Sequence, residues 1–273
     1  MKELDLLIVI RCHVDPMLVV DTYHAAQYNT GPETDVVFAV DGDTPKFSRK
    51  MLDLFGKERV YIASHRWGWG AGLFSLLLES YLYFREIYRF NHFQSIDYDT
   101  LYIAPEADRM LLDRITSSKI GLLGCHRPSN SHWKKVYEKN AERFVEVFGH
   151  PGRAYTHGEG VQGGYMTLTS SLLQNMATRK MFRPPYTVAS SYTSIADDHL
   201  LPIFVRMCNK EVVDVSDFAR CFWKAREDPR GLEEKGYKVF HPTKLNPHNK
   251  SRSTEVEMRN YFRKLRGCSD MLK

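Results

Sequence analysis

The sequence predicts an α/β fold, a mostly parallel sheet covered by helices on both sides, and three observations carry that expectation. Short apolar runs alternate with longer helical stretches through the N-terminal part of the chain, the pattern of βαβ units rather than hairpins. The runs are continuously apolar, as strands buried on both faces are. They end in charged or glycine-rich segments, and open α/β sheets place ligands at those carboxyl ends.

Leu4–Ile10 reads as the first strand and stops at Arg11-Cys12-His13. Pro16 opens a helix to about Tyr28, with Asp15 where an N-cap belongs. Asp35–Val40 is a second strand ending at Asp41-Gly42-Asp43, Phe47–Phe55 a helix and Arg59–Ser64 a third strand. His65-Arg66-Trp67-Gly68-Trp69-Gly70-Ala71-Gly72 then forms a glycine-rich loop before a helix expected over Leu73 to Phe90. Small residues there let backbone approach a ligand closely, and the helix start offers free N–H groups. Trp67 and Trp69 would either stack on a sugar or base or bury against the sheet. Asn91–Ile96 is the fourth strand and delivers Asp97 and Asp99 at its carboxyl end.

Further along, Ile120–Cys125 is a strand and Lys134 to Phe148 an amphipathic helix. Gln162–Leu168, led by Gly163-Gly164, is a strand followed by a helix from about Ser170. Arg183–Ser194 reads as a loop, Asp197 and Asp198 precede a helix from about Leu200 to Cys208, and Val212–Val215 is a short strand. With no internal repeat or low-complexity linker, one compact domain is expected.

The composition is that of an ordinary globular protein: 273 residues, 43% hydrophobic and 26% charged. Aromatic residues at 12% suit an aromatic core first and stacking surfaces second. The five cysteines lack any Cys-x-x-Cys pair, which argues against structural zinc and for reduced thiols. No run reaches the about 18 apolar residues of a membrane span, and Leu6–Ile10 is too short and acid-flanked for a signal peptide. A cytoplasmic location is the expectation. Net charge is +5, with basic residues concentrated after Lys244, either as a solvated helix or as a surface for phosphates.

Asp97-Tyr98-Asp99 is the stretch with most chemical content. Two carboxylates in this spacing at a strand end can share a hard divalent cation with a pyrophosphate, and such a cation stabilises a departing nucleoside diphosphate. Gly163-Gly164, Asp197-Asp198 and His241 follow it in that order. The ordered set resembles the glycosyltransferase A-fold (GT-A) superfamily, whose members carry a DxD metal motif, a glycine-containing loop, an acidic "xED" motif and a late metal-binding histidine. The resemblance spans roughly residues 4–245.

It implies a single-domain, GT-A-like, Rossmann-type mixed sheet flanked by helices. Residues 1–245 would be the catalytic domain, with a nucleotide-binding half at about 1–105 and an acceptor half at about 106–245; residues 246–273 would be a basic, helical tail. Asp99 would ligate the metal directly, Asp97 would contact the metal, its water shell or the ribose, and His241 would complete a Mn²⁺ or Mg²⁺ site. The alternative DxD, Asp41-Gly42-Asp43, lies too early for the family pattern. Asp198 would be the general base, with Asp197 the alternative because this chain has Asp where Glu is common. Both aspartates also read as plain N-capping acids. Arg11 would pair with phosphate and Asp41 would accept from base or ribose donors. Trp67 and Gly70 would line the donor site, Gly163 and Gly164 would bring backbone near donor sugar and acceptor, and Lys244 would neutralise the diphosphate.

The reaction implied is transfer of a sugar from a nucleoside-diphosphate donor, expected to be a UDP-sugar, to an acceptor hydroxyl with inversion. The acceptor classes left open are a glycan, a small molecule and a nucleic acid such as a hydroxylated DNA base, the last on account of Arg127, Lys134, Lys135 and the basic tail. A nucleotidyltransferase and a non-catalytic nucleotide- or carbohydrate-binding module are the competing readings. The first is disfavoured by the absence of glycine from Arg11 to Pro16.

Overall fold

The computed structural model describes residues 3–13, 15–42, 44–68, 70–128, 134–135, 138, 142, 145–146, 158–184, 186–191, 195–221, 228–243 and 255–269. Its strands are β1 (Glu3–Cys12), β2 (Thr34–Val40), β3 (Val60–Ile62), β4 (Arg89–Asp97), β5 (Leu101–Tyr102), β6 (Ile120–Arg127), β7 (Gly160–Leu168), β8 (Glu211–Asp214), β9 (Ala219–Cys221) and β10 (Val239–His241). Its helices are α1 (Pro16–Asn29), α2 (Pro45–Phe55), α3 (Ala71–Phe84), α4 (Ala107–Leu112), α5 (Ser170–Thr178), α6 (Asp197–Met207) and α7 (Glu255–Leu265).

Seven strands form one sheet in the order β3-β2-β1-β4-β7-β6-β8. β3, β2, β1 and β4 run parallel, β7 is antiparallel to both β4 and β6, and β8 is parallel to β6. The fold is therefore α/β with a mixed sheet, and its single reversed strand enters where β4 delivers its carboxyl end. A second sheet, β5-β10-β9, was not foreseen as a unit. Its strands have two or three residues each, too short for periodicity to reveal.

Each face of the main sheet has its own core. Val9, Phe74, Leu77, Phe93 and Phe204 lie in one cluster; Ile8, Ile10, Phe38, Tyr102 and Tyr165 lie in the other. Many of the aromatic residues are thus core. A smaller cluster of Ala25, Leu101, Ile103, Leu232, Phe240 and Phe262 seats α7 against the second sheet.

Several element bounds differ from expectation, three of them as follows. The helix foreseen to Phe90 ends at Phe84, because Arg89 and Phe90 join the ladder opposite Glu3 and Leu4 of β1. Asp197 and Asp198 do not precede α6 but form its first turn, after Ala196 as N-cap. Within the stretch expected as a loop, Tyr186–Ser191 forms a 3₁₀ turn. The helix foreseen over Lys134 to Phe148 lies largely outside the described residues. Among the described residues, no helix is long and apolar enough to cross a membrane.

The C-terminal region is helical over α7, and three of its arginines are directed inward. Arg259, Arg263 and Arg266 all pair with the buried carboxylate of Asp21 on α1. These three guanidiniums are engaged by the protein's own acid rather than presented to phosphates.

Candidate metal and donor site

Four elements meet at the carboxyl end of β4. Asp97 closes β4, and the turn after it is held by the Thr100 N–H donating to the Asp97 carbonyl at 2.9 Å. Asp99 lies on that turn, and its carbonyl accepts from the Thr243 N–H at 2.8 Å, tying the turn to the end of β10. β10 delivers His241, whose Nε2 stands 3.6 Å from Asp97 Oδ2 and 3.6 Å from Asp99 Oδ1. Those separations exceed hydrogen-bond range. The three ligand atoms lie within 4.8 Å of one another, so they converge on a volume that one cation could fill.

The donor set also fits. Burial alone would lower the His241 pKa, but Asp97 and Asp99 outweigh it and raise the imidazole to about 9. The two carboxylates therefore already require a positive charge beside them. One imidazole with two carboxylates is a donor set that a divalent cation could use. The buried Nδ1 of His241 has no partner among the described residues, so the ring is placed by its walls. The closest wall is Gly164, where a Cβ would come within 2.3 Å of the ring. The absence of a Cβ at Gly164 makes room for the imidazole.

Arg11 joins this cluster to the start of α6. It pairs with Asp97 in the β1–β4 register and is almost wholly buried. Its Nη2 lies 2.9 Å from Asp97 Oδ1 and donates to the Gly163 carbonyl at 2.6 Å, while Nη1 reaches Asp197 Oδ2 at 2.5 Å. Burial pushes Asp97 up, but Arg11 and His241 outweigh that and hold it below the usual carboxylate range. The Arg11 foreseen as a phosphate partner is placed here as the bridge between two carboxylates.

Asp197 and Asp198 sit in the first turn of α6, yet burial raises each to about 6, against Arg11 for Asp197 and Arg127 for Asp198. Their settings separate them. The Asp197 side chain is 6% exposed and locked to Arg11. The Asp198 side chain is 20% exposed.

At the carboxyl end of β2, Asp41 accepts from the backbone N–H groups of Trp67 at 2.7 Å and Gly68 at 3.0 Å. It holds the glycine-rich loop folded over the end of β2. Trp67 is half-buried, packs against the core and donates its indole N–H to Glu79 at 2.8 Å. Gly70, with φ of 73°, caps α3 in a conformation that favours glycine. The structure thus gathers Asp97, Asp99, His241, Arg11, Gly163, Gly164 and Asp197 into one contact network, while Asp41, Trp67 and Gly70 form the loop of the β2–α3 region. Trp69, Asp43 and Lys244 lie outside the described residues.

A second ionic cluster, not foreseen as a unit, lies at the start of β7. Glu159 receives both Arg206 (2.7 and 3.0 Å) and His126 (3.1 Å). Burial would raise this carboxyl, but His126 and Arg206 bring it down to about 2. The Glu159 carbonyl lies 3.2 Å from His199 Nδ1, and His199 Nε2 lies 3.8 Å from Asp198 Oδ1. No local motif marks these residues; long-range pairing assembles them.

No protein-family model matches the chain, and no curated protein matches it. Solved structures do resemble it. Apo xyloside xylosyltransferase 1 from mouse is 11% identical with a TM-score of 0.45, covering 92% of this chain and 100% of its own. The galactosyltransferase LgtC, in complex with donor and acceptor sugar analogues, is 13% identical at 0.46, covering 96% and 95%. The mannosyltransferase PcManGT from Pyrobaculum calidifontis, in complex with GDP-Man and Mn²⁺, is 13% identical at 0.48, covering 78% of this chain and 55% of its own. All three are sugar transferases by name.

Proposed function

We propose that this protein is a metal-dependent glycosyltransferase that moves a sugar from a nucleoside-diphosphate donor to an acceptor hydroxyl. The observation that carries the reading is the convergence of Asp97, Asp99 and His241 within 4.8 Å at the end of β4, beside an aspartate pair held through Arg11. When bound, Mn²⁺ or Mg²⁺ would supply Lewis-acid stabilisation of the departing diphosphate. Asp99, Asp97 and His241 would hold that ion.

Arg11 keeps Asp97 ionised and fixes Asp197, so Asp198 is left as the carboxylate open to an incoming hydroxyl. With a pKa of about 6, Asp198 is ionised near neutral pH yet basic enough to take a proton. The glycine-rich loop, fastened to Asp41 through the Trp67 and Gly68 N–H groups, would wall one side of the donor's nucleotide site. Attack assisted by Asp198 gives inversion, a UDP-sugar is the donor to try first, and a glycan or small molecule is the acceptor class to screen.

The test is calorimetric titration of UDP and UDP-glucose with and without Mn²⁺, on wild type and Asp99→Ala, with GDP and dTDP as alternatives. Binding that requires the metal and collapses in the variant is expected. If no nucleoside diphosphate binds under any condition, the reading is wrong and a module without this chemistry takes its place.

A further inference from the structure

The turn between the two candidate metal-ligating aspartates is gripped from behind by the C-terminal helix. Its central carbonyl, that of Tyr98, accepts from Arg259 Nη2 at 2.9 Å and from the Thr22 hydroxyl. The same Nη2 donates to Thr243 Oγ1 at 3.2 Å. Thr243 stands two residues after His241 and donates its N–H to the Asp99 carbonyl. One side chain on α7 therefore reaches both segments that carry the ligands: the Asp97–Asp99 turn and the His241 strand end.

The rest of Arg259 is committed as well. Nη1 donates to Asp21 Oδ2 at 2.9 Å, and Nε donates to Glu255 Oε1 at 3.0 Å, which also accepts from the Thr243 hydroxyl at 2.8 Å. Arg259 is 1% exposed and Asp21 fully buried, so the guanidinium spends its planar fork in a setting where every misplaced donor is costly. Anchoring α7 to the body would not require this: Met258 and Phe262 are buried beneath the helix, and Arg263 and Arg266 already pair with Asp21. What Arg259 adds is a fixed distance between the two ligand-bearing segments.

We propose that Arg259 is a positioning residue for the divalent-cation site, and that docking of α7 and occupancy of that site are thermodynamically coupled through it. The inference rests on the metal-site reading above. Coupling is reciprocal: if α7 holds the ligands in register, a bound ion must in turn hold α7 down.

The experiment is hydrogen exchange across Glu255–Leu265, with and without saturating Mn²⁺, alongside calorimetric Mn²⁺ titration of wild type, Arg259→Met, Arg259→Lys, Thr243→Val and Arg266→Met. In wild type, Mn²⁺ is expected to slow exchange in α7 by at least about fivefold, the low end of common couplings. Arg259→Met should weaken Mn²⁺ binding by about tenfold or more, in the range of outer-shell changes, and abolish the exchange response; Arg259→Lys should restore part of both. Arg259→Met leaves Asp21 paired with Arg266 and Arg263, and Thr243→Val tests the same link without touching a charge. Arg266→Met loosens the helix at its far end and should leave Mn²⁺ affinity at the wild-type value. Equal losses in Arg259→Met and Arg266→Met would reduce Arg259 to general helix anchoring and overturn the proposal. So would Mn²⁺ binding in wild type with no response in α7. If wild type binds no Mn²⁺ at all, the metal-site reading falls and this proposal falls with it.

Discussion

Gly164→Ala is the sharpest perturbation of the candidate metal site because the substitution adds one methyl group and changes no charge. The new Cβ would lie 2.3 Å from Cδ2 and Nε2 of His241 and 2.4 Å from Cε1. Ordinary contact begins at 3.4 Å, so ring and methyl must separate by about 1.1 Å, the shortfall between those two distances. The backbone on neither side yields easily. β7 is paired with β4 and β6, and β10 with β5 and β9. The imidazole must therefore move, and metal–ligand distances tolerate only about 0.2 Å. Losing one of three protein ligands should cost more than the about 10–100-fold typical of outer-shell changes. Overpacking of this kind costs about 1–3 kcal/mol, a fraction of a domain's total stability, so the variant should fold with a lowered Tm. The assay is Mn²⁺ titration by calorimetry beside a thermal melt. Gly163→Ala is the natural comparison, since the nearest atoms its Cβ would meet are the Asp197 oxygens at 3.3 and 3.5 Å. Wild-type Mn²⁺ affinity in Gly164→Ala would refute the assignment of His241 as a ligand.

Two further expectations follow from the ionic groups. Asp198→Asn should lower turnover by about 10²–10⁴-fold while Mn²⁺ and donor still bind, and metal-dependent donor hydrolysis in wild type should fall as pH drops through about 6, because the base acts only when ionised. A rate that ignores pH across that value would remove Asp198 from the role. Glu159→Gln should destabilise the fold by about 3 kcal/mol at neutral pH, the equivalent of lowering the carboxyl from its ordinary 4.5 to about 2. Because that pKa is depressed, the contribution is complete above the ordinary value and disappears as pH falls towards about 2. Urea unfolding of both proteins at neutral and acidic pH checks this; a gap that stays constant as the solution is acidified would contradict it.

β1 and β2 were legible because burial on both faces leaves continuous apolar runs, as over Leu6–Ile10 and Val36–Val40. The reach of β4 back to Arg89 was not. Arg89-Phe90-Asn91-His92 carries polar residues and is defined by its ladder to β1, a partner that local pattern does not encode. The gathering of Asp97, Asp99 and His241 could be anticipated from an ordered set of motifs, whereas the place of Arg11 could not. An arginine at a strand end looks like a phosphate ligand until the fold brings Asp97 and Asp197 to it. Arg259 was equally hidden. Glu255 and Arg259 have the i, i+4 spacing of an ordinary surface ion pair, and only tertiary packing turns that pair inward onto Asp21 and the Tyr98 carbonyl.

Arg11 also limits how this protein can be taken apart. Its guanidinium is the tie between a carboxylate from β4 and one from α6, a separation of 100 residues in sequence between Asp97 and Asp197. A chimaera that exchanges the C-terminal part for that of a relative would leave a buried cation with half its counter-charge, and Asp97 would feel the change before any substrate arrived. Specificity grafting in this scaffold therefore has to move β7 and the first turn of α6 together with the strand ends they answer to.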